Sequence, residues 1–198
     1  MDGAELFSKC LAQATVVVKQ VRPEHYANAT PCADWHVGDL LDHLLYELGV
    51  VPKLLAGDTV EAAADGDENN ENVVDEIDIA IELSANWQFA ADAAEAVSNE
   101  ADPDEIAHPT SGDVTNDSYL CQVAIDMLVH TWDLAAAIGM PVVFAPNTAL
   151  AAYDHAISSA NARQTDADDM SLSVDANEPT QIKLLAMYGR SANWHSAS

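Results

Sequence analysis

The sequence predicts an all-α protein, a four-helix bundle with short additional helices toward its C-terminal end. Three observations carry that expectation. Apolar residues recur at helical spacing in four long segments, polar stretches holding proline or glycine separate them, and no segment shows a convincing strand pattern. With 198 residues, 49% of them hydrophobic, the chain can bury a sizeable core, and residues 1–198 read as one bundle domain.

The first segment, Ala4 to Val21, puts Leu6, Phe7, Cys10, Leu11, Ala14, Val17 and Val18 at helical spacing, and Pro23 is a stop signal. A turn follows from His25 to Pro31. The second helix is expected from about Val37, with Asp34 or Trp35 at its mouth, through Leu40, Leu44 and Leu48 toward Gly57. Pro52 lies late in it and predicts a kink or an early end. Residues 57–78 are polar and acidic and read as a surface loop. A third helix is expected from about Ile79 to Val97, then a loop from Ser98 to Val114 carrying Pro103, Pro109 and Gly112. The fourth helix, Tyr119 to Ile138, has Asn116 or Asp117 to cap it and Gly139-Met140-Pro141 to stop it. Shorter helices are expected at Asn147 to Ala160 and Thr180 to Tyr188.

Charge narrows the function classes. Thirty-three acids against seven Lys+Arg give a net charge of −26, while only 20% of residues are charged. The anomaly is missing lysine. With no basic stripe to neutralise phosphates, nucleic acid and anionic membrane surfaces are excluded as partners. Such acidity resembles proteins of halophilic organisms, in which salt near 1 M shortens the Debye length to about 3 Å and screens self-repulsion. No apolar run approaches the roughly 20 residues that span a bilayer. The N-terminus places acids where a secretory signal needs a basic segment, so the expected compartment is the cytoplasm. Cys10, Cys32 and Cys121 are odd in number and lack a C-x-x-C spacing, which argues for reduced thiols and against a disulfide framework or a cysteine zinc site.

The residues that can carry chemistry lie on helices two and four. Asp126 and His130 are one turn apart on a helix that is apolar around much of its circumference, and Asp133 shares their face. A carboxylate and an imidazole so placed can reach one ion. The same spacing also fits a solvated stripe or a His–Asp hydrogen bond without metal. Helix two supplies His43, flanked by leucines, with Asp39 and Glu47 four residues away on either side as partners able to orient its ring. Arg190, one of the few basic residues, can clamp a carboxylate of substrate or protein, or pair with a helix C-terminus. Trp35 and Trp132 are pocket walls or core.

These residues fall within three recognisable stretches. Thr30-Pro31-Cys32-Ala33-Asp34-Trp35-His36-Val37-Gly38-Asp39-Leu40-Leu41-Asp42-His43 resembles the opening of the DinB/YfiT-like superfamily, in particular its mycothiol-dependent maleylpyruvate isomerase N-terminal branch. Asp126-Met127-Leu128-Val129-His130-Thr131-Trp132-Asp133 is similar to the second signature of that branch. Leu184 to Arg190, with Trp194 beyond, is similar to its C-terminal one.

The resemblance implies a bundle with up-down-down-up helices and a metal between helices two and four, held by His43, Asp126 and His130. Where relatives carry Glu or His, this chain has Asp126, shorter by one methylene, which would draw the ion toward helix four or loosen it. Two imidazoles and a carboxylate suit Zn²⁺ first, with Ni²⁺, Fe²⁺ or Mn²⁺ as alternatives. Three protein ligands leave a position open for water or substrate. In the isomerase branch a low-molecular-weight thiol occupies it.

The function implied is therefore a metal-dependent transferase or isomerase acting on a small thiol or thiol adduct. The alternative is a non-catalytic metal-binding bundle with a stress or regulatory role. The characterised isomerases carry a further C-terminal domain, while this sequence runs only a few residues past its Gly-Arg signature, so maleylpyruvate isomerisation itself is not expected. Bundles of this kind often pair, which makes a homodimer compatible, although no apolar stripe marks an interface.

Overall fold

The computed structural model describes residues 1–33, 35–59, 76–163 and 171–195. Asp34 and most of the expected acidic loop, residues 60–75, lie outside the described residues, as do residues 164–170 of the acidic stretch after the fifth helix.

Six α-helices are described: α1 Gly3–Val18, α2 Val37–Leu55, α3 Glu76–Glu100, α4 Asn116–Ala137, α5 Pro146–Arg163 and α6 Thr180–Met187. The protein is thus mostly helical, with one short 3-10 turn at Pro23–His25. Among the described residues no helix is long and apolar enough to cross a membrane.

The boundaries follow local chemistry. Asp2 caps α1 by accepting from the Glu5 N–H at 2.8 Å. The helix closes at Val18, not Val21, because the Gln20 and Val21 N–H groups turn back to Val17 and Val18 in three-residue turns ahead of Pro23. At the mouth of α2 the cap position is His36, whose backbone N–H donates to Asp39 Oδ2 at 2.9 Å. Pro52 stays inside α2, which runs on to Leu55. Thr115, rather than Asn116 or Asp117, caps α4 by accepting from the Ser118 N–H at 3.2 Å. Gly139, at φ 71°, ends it in the left-handed conformation that glycine adopts without strain.

The second expected loop contains a small antiparallel pair, β1 Ile106–Ala107 with β2 Val114–Thr115. Two-residue strands are too short to show alternation, which is why the sequence gives no sign of them.

Contacts between helices fix the topology. The Trp87 indole N–H donates to Thr15 Oγ1 at 2.9 Å, and Ser8 bonds to Glu95, so α3 runs antiparallel to α1. The Gly3 N–H donates to Asp117 Oδ1 at 2.6 Å, which joins the N-terminal ends of α1 and α4 and makes those two parallel. Residues 43 and 47 of α2 face residues 126 and 119 of α4 in that order, so this pair is antiparallel. The arrangement is up-down-down-up, with helices neighbouring in the cyclic order α1, α4, α2, α3.

The core is one cluster. Leu6, Phe7, Leu11 and Val17 of α1 meet Leu40, Leu44 and Leu48 of α2, Trp87 of α3 and Leu120, Leu128 and Leu134 of α4. Sixteen of the 22 residues of α4 are buried, which makes it the central helix. Any polar side chain on it must therefore find its partner inside the protein. Thr131 does so by donating to Met127 O at 2.7 Å. His130 and Asp133, also buried, do so in another way.

Candidate metal centre

His130 and Asp133 lie one turn apart on the inner face of α4, and His130 Nδ1 is 2.9 Å from Asp133 Oδ2. Asp133 is wholly buried and is gripped from its other side by Arg190, which follows α6. The guanidinium donates from Nη2 to Oδ2 at 2.8 Å and from Nε to both oxygens at 3.2 Å. Arg190 Nη1 is itself fixed on Tyr188 O at 2.7 Å. With Asp133 held as a carboxylate by this ion pair, Nδ1 of His130 carries the proton and donates. That tautomer leaves the Nε2 lone pair directed outward.

Nε2 of His130 stands 3.5 Å from Asp126 Oδ1, and His43 Nε2 of α2 stands 3.1 Å from Asp126 Oδ2. The donor atoms of His43, Asp126 and His130 all lie within 4.8 Å of one another. Bonds of about 2.0–2.2 Å at tetrahedral angles would place neighbouring ligands roughly 3.3–3.6 Å apart. The separations of 3.1 and 3.5 Å on either side of Asp126 are close to that spacing, so the three groups can converge on one small divalent ion. The chemistry of the set agrees, because a lone pair on His130 faces a carboxylate oxygen, an apposition of two acceptors that a cation relieves.

The electrostatics are those of a pair of imidazoles sharing an acid. The hydrogen bond that His43 donates to Asp126, outweighing the opposing cost of burial, holds His43 above its ordinary value, with the charges of Asp126 and Glu47 adding to it. Burial pushes Asp126 up, but the hydrogen bond it accepts from His43, together with the nearby His130, His43 and Arg190, brings it below the ordinary carboxylate range. Its side chain is 42% exposed, opening into a cavity.

The turn before α2 covers the cluster. Thr30 Oγ1 accepts from the Cys32 N–H at 3.1 Å and lies 3.0 Å from Trp35 O, while the Thr30 N–H also donates to Trp35 O. Asn28 Nδ2 ties this turn to Ala137 O at the end of α4. Trp35 thereby stacks on the His130 ring, centroids 5.7 Å apart and planes at 21°, and tilts against His43 at 4.9 Å. Cys32 is brought beside Arg190, His130 and Asp133. Burial pushes the Cys32 thiol up, against the pull of Arg190.

A cavity of about 520 Å³ opens from His43 and Asp126 between α2, α4 and α5. Glu47, one turn beyond His43, Tyr119 and His155 line it.

Of the residues that the sequence singles out, His43, Asp126, His130, Asp133 and Arg190 come together, and Glu47 faces the adjoining cavity. Asp39 does not join them: its carboxylate serves the mouth of α2. Three of the five other histidines are engaged elsewhere, His25 with Arg22, His36 with Asp39 and His108 with Asp113. Cys32, Tyr119 and His155 went unnoticed as site residues. Only the position of Cys32 inside the Thr-Pro-Cys stretch could have drawn attention to it.

An up-down-down-up bundle with two imidazoles and a carboxylate between its second and fourth helices defines a class of helical proteins built around a polar centre. The chain belongs to the mycothiol maleylpyruvate isomerase N-terminal domain family, whose model matches residues 7–135. That stretch includes His43, Asp126, His130 and Asp133, while Arg190 lies beyond it. Comparison with curated proteins and with solved structures gave no match.

Proposed function

We propose that His43, Asp126 and His130 hold one divalent metal ion, zinc before nickel, iron or manganese, and that the protein is a metal-dependent transferase or isomerase of a small thiol or thiol adduct. The observation that carries this reading is the polarity of His130, whose Nδ1 is committed to the Asp133–Arg190 pair while Nε2 faces Asp126 and His43. A bound ion would acidify a thiol or water, or polarise a carbonyl, at its remaining position.

The chain's own residues supply the rest. Asp133 and Arg190 set the ring of His130, as the carboxylate partner of a ligating histidine does in zinc enzymes. Trp35 covers the two imidazoles on one side and limits access of water. The cavity lined by Glu47 and Tyr119 gives a small molecule room beside Asp126. A cytoplasmic setting would keep such a thiol, and Cys32, reduced.

Elemental analysis of the purified protein beside His43→Ala and His130→Ala tests the reading. About one zinc-like ion per chain, lost in both variants, is the expected result. Unchanged metal content in both variants would remove the proposal. In the cobalt(II)-loaded protein, added thiol should shift the visible spectrum. Metal bound without any such shift would favour the non-catalytic bundle.

A further inference from the structure

Tyr119 is only 4% exposed, yet its hydroxyl makes no hydrogen bond among the described residues. A buried hydroxyl normally finds a partner, because water has been removed from it and nothing else replaces that bond. Tyr119 lines the same cavity as Asp126 and Glu47, and the charge of Glu47 acts on its hydroxyl. Among the described residues, those around the cavity include the carboxylates of Glu47 and Asp126 and the imidazoles of His43 and His155, but no lysine or arginine. Tyr46 and Tyr188 add aromatic side chains to the wall. Carboxylate, free hydroxyl and tyrosine rings in one enclosure are the groups that receive an ammonium ion, through charge-assisted hydrogen bonds and ring faces. They repel an acid. The volume is in the range of pockets that take small molecules.

We propose that this cavity binds the amine end of its ligand, a protonated amino group held by the Glu47 carboxylate and the Tyr119 hydroxyl, so that the preferred thiols are aminothiols and not acidic thiols. The preference among thiols rests on the metal reading above, whereas the amine pocket stands on Glu47 and Tyr119 alone. Glu47 is one turn from His43, about 6 Å along the helix, which lets a two-carbon aminothiol approach both the pocket and the imidazoles.

The test uses three thiols of nearly equal size: cysteamine, 2-mercaptoethanol and thioglycolate. Each is titrated into the full-length metal-free protein, following the backbone amide NMR signals of Glu47, Tyr119 and Gln122, and into the cobalt(II)-loaded protein, following its visible spectrum. Wild type, Glu47→Gln and Tyr119→Phe are compared. Cysteamine should bind the metal-free protein about tenfold or more tightly than 2-mercaptoethanol, with thioglycolate weakest, as expected for charge-assisted hydrogen bonding. Glu47→Gln should abolish that order and Tyr119→Phe should weaken cysteamine severalfold.

Equal binding of cysteamine and 2-mercaptoethanol would overturn the proposal, as would an order that survives in Glu47→Gln. Tighter binding of 2-mercaptoethanol would assign the corner to a hydroxyl ligand instead. A cobalt spectrum indifferent to every thiol would sink the metal–thiol reading, while amine-selective NMR shifts in the metal-free protein would still uphold the pocket.

Discussion

The guanidinium of Arg190 closes on the carboxylate of Asp133 with Nη2 2.8 Å from Oδ2, at a point where Asp133 has no exposed surface. Fifty-seven residues separate the two in sequence. The pair fastens the chain after α6 to the C-terminal end of α4 and, through Asp133, sets the ring of His130.

Breaking this pair from one side should be costly. Arg190→Ala leaves a buried carboxylate without its cation, a loss of about 3–5 kcal/mol in comparable buried pairs. Urea unfolding of the metal-free protein measures it. Replacing both partners by apolar residues, Arg190→Met with Asp133→Leu, should cost less than the sum of the single changes, since the uncompensated charge disappears. Additive losses would mean that the two side chains do not act as a unit.

Metal affinity should report the same chain of contacts. His130→Ala is expected to abolish metal retention and Asp126→Ala to weaken it. Asp133→Asn, which leaves all three proposed ligands in place, should lower affinity about 10- to 100-fold by freeing the His130 ring and its tautomer. Competition against a coloured chelator measures all three. Full affinity in Asp133→Asn would show that the Asp133 contact serves the fold alone.

In the metal-free protein, His43 and Asp126 should leave a mark on stability against pH. The value of His43 is raised above its ordinary 6.5, so its contribution is fully present below pH 6.5 and is lost as pH rises through the raised value. Asp126 is held below its ordinary 3.8, so its contribution is present above that pH and is lost as pH falls through the lowered value. The acid side is masked by the other carboxylates, whose protonation relieves repulsion. The alkaline side is not. The melting temperature of wild type minus that of His43→Gln, with chelator present, should therefore shrink as pH rises from 6.5 past neutrality. A difference that stays constant across that range would mean the pair carries no charge.

Gly3 marks the closest approach of α1 and α4. A methyl group there would stand 2.3 Å from the Asp117 carbonyl oxygen, a backbone atom that cannot swing aside. Gly3→Ala should therefore force the two helix ends apart and weaken the hydrogen bond from the Gly3 N–H to Asp117. The expected loss is about 1–3 kcal/mol, the usual cost of overpacking, and toward the lower end because the chain terminus can yield. Thermal unfolding beside Gly49→Ala, where a methyl group meets nothing within 4 Å, separates this clash from the general effect of placing alanine in a helix.

Much of this was legible in the residues. Leucines at helical spacing announced α2, and the Asp126–His130 spacing put two donors on one face of a helix too apolar to be a surface element. What local pattern cannot carry is distance. Arg190 could be seen as a rare cation, but nothing near it in sequence says that its partner is Asp133. Tyr119 resembles any other aromatic on a buried helix, since an unpaired hydroxyl is a property of what surrounds it. Helix ends shifted for a related reason. Thr115 displaced Asn116 and Asp117 as the cap of α4 because the helix already begins at Asn116, Thr115 Oγ1 takes the Ser118 N–H, and Gly3 takes the Asp117 carboxylate.

Stability should also rise with salt. A net charge of −26 on 198 residues means that carboxylates repel one another across most of the surface with few cations between them. Near 0.1 M salt the Debye length is about 10 Å, long enough for neighbouring carboxylates to interact, and near 1 M it is about 3 Å. Screening should therefore raise the melting temperature steeply up to about 1 M and then level off, because little repulsion is left to remove. A further rise toward several molar would come from exclusion of salt from the protein surface, which grows with concentration and does not saturate. Sodium chloride titrated from 0.1 to 3 M separates the two parts by the shape of the curve. Sucrose, which is excluded but does not screen, should reproduce only the second part. A melting temperature that stays flat or falls over this range would mean that the acidic surface is not held back by its own charge, and the likeness to salt-adapted proteins would then be one of composition alone.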